Sequence, residues 1–345
     1  MSGKKKGPER RQELMADPVR PLDPLHTSDV AGLLEVMAGC SFQGRSLGRA
    51  YQVWRHMVNE AGVIFCGLAG AMVPAGMRQV VVRLIESGCI DCLVTTGANL
   101  FHDAYESLGT PHWKGDPQAD DAALRALRMD RFYDTYGDDK AMEAVDRLAA
   151  AFADGLEPRP HTTREFFYRW GGYLATRTST DGILTTAYRR RVPIYVPAVA
   201  DSSYGIALAA LTRNDGFFQF DVIRDAHETA LIASENSPSG AVYFCGGTPK
   251  NFIQQSHVTA ELLHQRPSGH RFAIQVTADA PHWGGLSGCT IEESISWGKV
   301  TADAEAVNVH ADATIALPLL ASALLASEGE RAARRQRPVF PFEWD

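Results

Sequence analysis

Residues 284–300 read GGLSGCTIEESISWGKV and place a carboxylate, an aromatic ring and a lysine within seven positions of one another, at Glu293, Trp297 and Lys299. Thr290 and Glu293 fit a capping box, so a short helix is predicted to start there, and Gly298 is placed to end it. Glu293 and Trp297 are four apart and share a face. Lys299 follows just past the helix, flanked by Trp297 and Val300. A lysine beside apolar surface loses hydration as an ammonium, its pKa falls, and it can then attack a carbonyl or an imine. The Trp297 ring offers a face for a cationic amine. The same residues also describe a snorkelling surface lysine beside a core tryptophan; taken alone they leave both open.

A second set of residues sits where apolar runs end. Gly67 and Gly70, Thr96-Gly97-Ala98 and Gly246-Gly247 are small enough for a phosphate to approach backbone N–H groups, or else they serve tight turns. The G-x-G-x-x-G and G-x-x-x-x-G-K-[ST] fingerprints are both absent. Asp201 and Asp312 each follow an apolar run, where an acid accepts from ribose hydroxyls or caps a helix. Cys89 and Cys92 form a lone CxxC with no second pair, so a structural role and no metal are expected.

The elements that must position these residues alternate. Strands are predicted at Gly62–Gly67, Cys89–Thr95, Pro193–Val199, Gly240–Phe244, Phe272–Thr277 and Val307–Ala311. Helices are predicted over Val30–His56, after Met77 through Glu86, and over 119–129, 140–155 and 162–178. Apolar strands closed by Gly, Thr, Asp or Ser, with helices between them, describe an α/β fold: one Rossmann-like, doubly wound, mostly parallel sheet with helices on both faces. Ligands bind such sheets at the carboxyl ends of the strands.

The 345 residues are 45% hydrophobic and carry a net charge of −7, which argues against a nucleic-acid backbone binder. The apolar stretch Ala311–Ser327 is interrupted and shorter than the ~20 residues a membrane span needs. With no secretory signal and six cysteines, a reducing, cytoplasmic setting is expected. Residues 1–24 read as a mobile basic arm and 331–345 as a C-terminal tail.

Ser294–Lys299 (SISWGK) resembles the active-lysine motif of deoxyhypusine synthases. Further runs resemble the same family in the same order: Val94–Asp103, His112–Gly115, Asp130–Tyr136, Pro197–Ser203, Gly246–Asn251 and Val309–Asp312. The likeness covers about residues 30–330. It is strongest to the prokaryotic deoxyhypusine-synthase-like branch, which includes homospermidine-forming relatives. The resemblance implies that residues 25–330 form an NAD-binding catalytic domain. It further implies that bound NAD oxidises a polyamine and that Lys299 carries the butylamine group as an imine to an acceptor amine. By position it implies polyamine contacts at Glu293 and Trp297. NAD contacts are implied at Gly70, Thr95, Thr96, Gly97, Asp201, Gly246, Gly247, Thr277, Ser287, Ala311 and Asp312. A homotetramer with active sites at dimer interfaces is the implied assembly.

The chain departs from the family pattern at three places. The family's catalytic histidine is Asn251 here; two polyamine-binding carboxylates align with Ile206 and Leu286; a glutamate pair aligns with Phe101 and His102, leaving Asp103 nearby. An altered amine site is therefore expected, lined by Asn251 and Asp103, with His102 as a replacement base or as a structural histidine. The leading expectation is an aminobutyl transferase using spermidine or putrescine, with a small di- or polyamine acceptor. The alternatives are a true deoxyhypusine synthase modifying a protein lysine, and a non-catalytic NAD- or polyamine-binding regulator.

Overall fold

The computed structural model describes residues 8–212, 218–264 and 269–344. Its strands, in chain order, are β1 Val63–Leu68, β2 Cys92–Thr95, β3 Trp113–Lys114, β4 Met129–Phe132, β5 Thr135–Asp138, β6 Ile194–Tyr195, β7 Ser239–Phe244, β8 His270–Thr277 and β9 Val300–His310. Six of them form one sheet in the order β6-β2-β1-β7-β8-β9, and every neighbouring pair is parallel. Counted along the chain, that order is 3-2-1-4-5-6, the doubly wound arrangement expected. It reverses direction between β1 and β7, where a crevice opens beyond the strand ends.

The two faces of the sheet divide the core. In β1, Ile64, Cys66 and Leu68 face one cluster, which holds the helices Phe42–Glu60 and Ala313–Ala333. Val63 and Phe65 face the other, with Ile232, Ala233 and Ile253 from the helices Val222–Glu235 and Thr248–His264. Strand side chains alternate, so a strand apolar at every position is covered on both sides.

Several boundaries move from their sequence expectation for identifiable reasons. The helix expected over Val30–His56 is two, Val30–Met37 and Phe42–Glu60, with Ser41 as the second N-cap. β2 begins only at Cys92, because the Asp91 carboxylate turns to accept from the Ile64 amide and to pair with Arg335. β6 keeps two residues between Pro193 and Pro197, neither of which can donate to a ladder. β9 starts seven residues earlier than its apolar segment, since its first half is a partly exposed edge of polar residues. The helix expected over 119–129 spans only Asp121–Ala126. Arg128 then adopts a left-handed φ of 60°, and the chain enters a second sheet, antiparallel, of order β3-β5-β4.

The ends of the chain pack as follows. Residues 1–7 of the basic arm lie outside the described residues. Pro8–Leu14 is a short helix, and the Arg20 amide donates to Gly39 O. Within the C-terminal tail, Phe340 and Phe342 pack on the second core cluster. Asn236 exchanges two hydrogen bonds with the Val339 backbone, of 2.8 and 2.9 Å. Among the described residues no helix is long and apolar enough to cross a membrane.

A buried polar chain ties β7 to β8. The Gly269 amide donates to His257 Nδ1, so His257 Nε2 carries a proton and donates to Ser239 Oγ at 2.7 Å. Ser239 in turn donates to His270 Nδ1 at 2.9 Å, and His270 Nε2 faces Ile253 O. Burial lowers His257 from 6.5 to about 4 and His270 well below its ordinary value. An unfolded chain takes up these protons near pH 6.5 and the folded one does not. This contribution to stability is therefore complete above pH 6.5 and drains away as the pH falls toward 4. Urea midpoints are expected to drop between pH 7 and pH 5. Ser239→Ala, which removes the hydroxyl that the two imidazoles share, is expected to cost about 1–3 kcal/mol at pH 7. An unchanged midpoint in either experiment would contradict the buried neutral chain.

Candidate active site

All six parallel strands end along one edge of the main sheet, and the expected cofactor residues lie on that crest. At the switch point, Gly70 follows β1 and Cys245-Gly246-Gly247 follows β7. All four adopt left-handed φ angles, of 73°, 69°, 77° and 71°. Three consecutive left-handed residues after a strand turn the chain sharply into the helix Thr248–His264, whose N-terminus follows directly on that turn. A Cβ on Gly246 would lie 2.7 Å from Ser287 Cα, whereas one on Gly247 would meet nothing within 4 Å. Gly246 thus brings the 285–289 loop against the turn, and Gly247 leaves its backbone open.

The neighbouring strand ends are stitched together. Thr95 Oγ1 donates to Leu68 O at 2.8 Å, and Asn99 bridges Thr95 and Thr96 to the Val73 amide. A side chain on Gly97 would collide with Ser202, so the β2 and β6 ends meet there. Thr277 accepts from the Ala311 amide at 3.1 Å, joining the β8 and β9 ends. Ser287 Oγ donates to Asp279, and Gln275 Nε2 donates to Ser287 O at 3.1 Å. The two acids that read alike in sequence separate here. Asp312 caps the helix Ala313–Ala333 through the Thr314 amide at 2.7 Å. Asp201 is exposed, and the cap of the next helix is Ser202.

Lys299 immediately precedes β9, so its backbone stands at the opposite end of that strand from the crest. Its side chain reaches back: Nζ donates to Asn251 Oδ1 at 2.9 Å, in the first turn after Gly247, and lies 5.4 Å from the Trp297 ring centroid. The helix carrying Glu293 is Ile291–Ile295, capped by Thr290 Oγ1 at the Glu293 amide. Gly298, at φ 68°, ends the turn that releases Lys299. Trp297 is 65% exposed, and Ile206 and Leu286 are exposed as well.

Lys250, which the sequence reading had not singled out, is buried directly beside this amine. Its Nζ donates to Leu286 O at 3.0 Å and to Cys289 O. Burial, with Lys299 nearby, lowers its ammonium to about 8. Its place inside the run Gly246–Asn251, one residue before Asn251, was the available signal.

His102 and Asp103 occupy a different part of the crest, on the helix Gly97–Ser107. The Asp103 carboxylate is fully buried and filled: it accepts from Arg78 Nε at 2.8 Å and from the Ile183 and Leu184 amides at 2.7 and 2.8 Å. It holds the start of the helix Ile183–Arg190 and has no oxygen directed to a ligand, so its expected substrate contact is replaced by a structural task. His102 is buried against His112 and Phe132. Burial and the facing His112 push its pKa down to about 3. Among the described residues no hydrogen bond or ring contact joins His102 to Lys299. The structure therefore gathers the expected residues into two clusters within one chain.

The deoxyhypusine synthase family profile matches residues 32–324. A probable deoxyhypusine synthase 2 of Methanosarcina mazei is 46% identical over 95% of this chain and 94% of its own length. A deoxyhypusine synthase-like protein of Elusimicrobium minutum is 38% identical over 88% and 82%. The crystal structure of a putative deoxyhypusine synthase from Entamoeba histolytica superposes with a TM-score of 0.63 at 17% identity, covering 90% of this chain and 97% of that one. That last likeness concerns the fold.

The two Lys250 hydrogen bonds are the main ties between the 286–289 loop and the helix below it. Lys250→Met is expected to speed amide exchange across residues 285–290 by about tenfold or more, since hydrogen bonds from a charged donor contribute ~1.5–3 kcal/mol. Exchange unchanged in that segment would show the loop to be held by other contacts. Profile, relatives and fold agree: the chain belongs to the deoxyhypusine synthase family, a family of transferases.

Proposed function

We propose that the chain is an NAD-dependent aminobutyl transferase that passes a four-carbon amine through Lys299, with a small di- or polyamine as acceptor. One observation carries this: the Lys299 amine is held at 2.9 Å by Asn251 and faces Trp297, beside the glycine turn at the sheet's switch point.

The crest fits a dinucleotide. The open backbone at Gly247 and the helix N-terminus after it suit a pyrophosphate, and exposed Asp201 suits a ribose hydroxyl. Gly70, Thr95, Thr96, Gly97, Thr277, Ser287, Ala311 and Asp312 would complete the cradle. A dinucleotide held there would supply hydride acceptance from the donor amine and hydride return to the product.

The chain's own residues do the rest. Lys299 Nζ adds to the four-carbon imine carbon; a C–N bond forms, and the bond to the departing amine breaks as that amine takes up a proton. The acceptor amine then adds to the same carbon and releases Lys299. Asn251 accepts from Nζ and aims it, and the Trp297 face and Glu293 carboxylate hold the cationic chain. His102 is neutral throughout the physiological range, so its expected role as base narrows to accepting a hydrogen bond from the donor amine, across the interface from the Lys299 of a second copy of the chain.

The small-amine acceptor is favoured by Ile206 and Leu286, which leave the pocket short of the charge partners that the family pattern carries. A protein lysine as acceptor is favoured by the names of the relatives, probable deoxyhypusine synthases. Exposed Trp297 and Leu286 beside the amine support closure of the site against a second copy of the chain.

Incubation with NAD and spermidine followed by borohydride is expected to leave a butylamine adduct on Lys299, absent in Lys299→Ala. Mass spectrometry of products from an amine screen then identifies the acceptor. No adduct with spermidine, putrescine or agmatine would leave a binding protein on this scaffold. Gly246→Ala, which places a Cβ against Ser287 at a left-handed φ, is expected to weaken NAD binding at least about tenfold in a fluorescence titration. Wild-type affinity would move the cofactor elsewhere.

A further inference from the structure

We propose that Glu106 and His112 are positioning residues that lock His102 as the tautomer with its Nε2 lone pair free to accept from the donor amine. This rests on His102 facing that amine, as proposed above.

A cavity of about 740 Å³ lies at the crest, bounded by the segment 71–76 after β1, by Asp312 and Thr314 after β9, and by the small antiparallel sheet. His112 and Phe132 line it. His102 is packed immediately behind them, with ring centroids 4.9 Å and 4.7 Å away. The three side chains form one line of hydrogen bonds. Glu106 Oε1 is 2.7 Å from His112 Nδ1, and His112 Nε2 is 3.0 Å from His102 Nδ1. Arg78 stands 3.7 Å from the other Glu106 oxygen and 2.8 Å from Asp103, so the line ends in a buried charged cluster.

The proton positions follow from donor and acceptor inventory. An ionised carboxylate only accepts, so a neutral His112 ring carries its proton on Nδ1 and offers a lone pair at Nε2. His102 must then donate from Nδ1, and a neutral imidazole protonated there has its lone pair on Nε2. Among the described residues no hydrogen bond occupies that atom. Without His112, the proton of His102 is free to move to Nε2, and the ring presents a donor to the amine instead of an acceptor. The charged and titratable groups around His102 are His112 directly and Glu106, Arg78 and Asp103 behind it.

The test uses the full-length protein with 15N-labelled histidine. Three variants are compared: His112→Phe, which keeps a ring and removes the acceptor; His112→Gln, whose side-chain oxygen can replace Nε2; and His102→Phe, which assigns the signals. In wild type, His102 is expected to show the Nδ1–H nitrogen signature at pH 7.5. In His112→Phe the signature is expected to shift to Nε2–H, and the rate of Lys299 adduct formation to fall about tenfold with spermidine KM little changed. His112→Gln is expected to restore both. If His102→Phe slows adduct formation but His112→Phe does not, or if the Nδ1–H signature survives in His112→Phe, the positioning role is overturned alone. Wild-type adduct formation in His102→Phe would instead overturn the placement of His102 at the donor amine.

Discussion

The parallel sheet is the constraint on which the remaining structure depends. Because all six strands run the same way, every strand end falls on one edge, and every connection must return across a face of the sheet. Those returns supply the helices that bury both faces. They also leave the loops free to gather at the crest. The reversal between β1 and β7 separates two loops that would otherwise pack together, and the left-handed turn at Cys245–Gly247 occupies that gap. A side chain at Gly246 would displace the 285–289 loop and, with it, the segment that leads to Glu293, Trp297 and Lys299.

Around this crest, buried charge works mainly as scaffolding. Lys250 is held by two backbone carbonyls and orders the loop next to the Lys299 amine. Arg78 and Asp103 fasten the start of the helix Ile183–Arg190 against the helix that carries His102. Leaving either group without its partner would strand a charge in the interior, which costs more than the pair contributes. The acidic net charge suits cationic amines only in a general way. Under the proposed transfer, the local pocket with Asn251, Ile206 and Leu286 would select among them.

Much of this was legible from residue order. Alternating apolar runs closed by small or polar residues located all six strands of the main sheet, because burial on both faces demands continuous apolar segments. The same rule missed the first half of β9, an edge that tolerates Asp and Glu, and missed β3, β4 and β5, which are short and half-exposed. The Thr290 cap and the stop at Gly298 were readable because both are local backbone chemistry.

The sequence by itself determined the strand periodicity, the glycine turn after β7, the helix–turn that presents Lys299, and the motifs shared with one family. These depend on neighbours within a few residues. Tertiary structure alone decided what each polar side chain is for. It filled Asp103 with Arg78 and two amides, made Asp312 a cap and left Asp201 exposed. It also brought Lys250 under the 286–289 loop and lined up Glu106, His112 and His102. The physical reason is that a carboxylate, an imidazole or an ammonium takes its role from whichever donors and acceptors surround it, and those arrive from segments far apart in the chain.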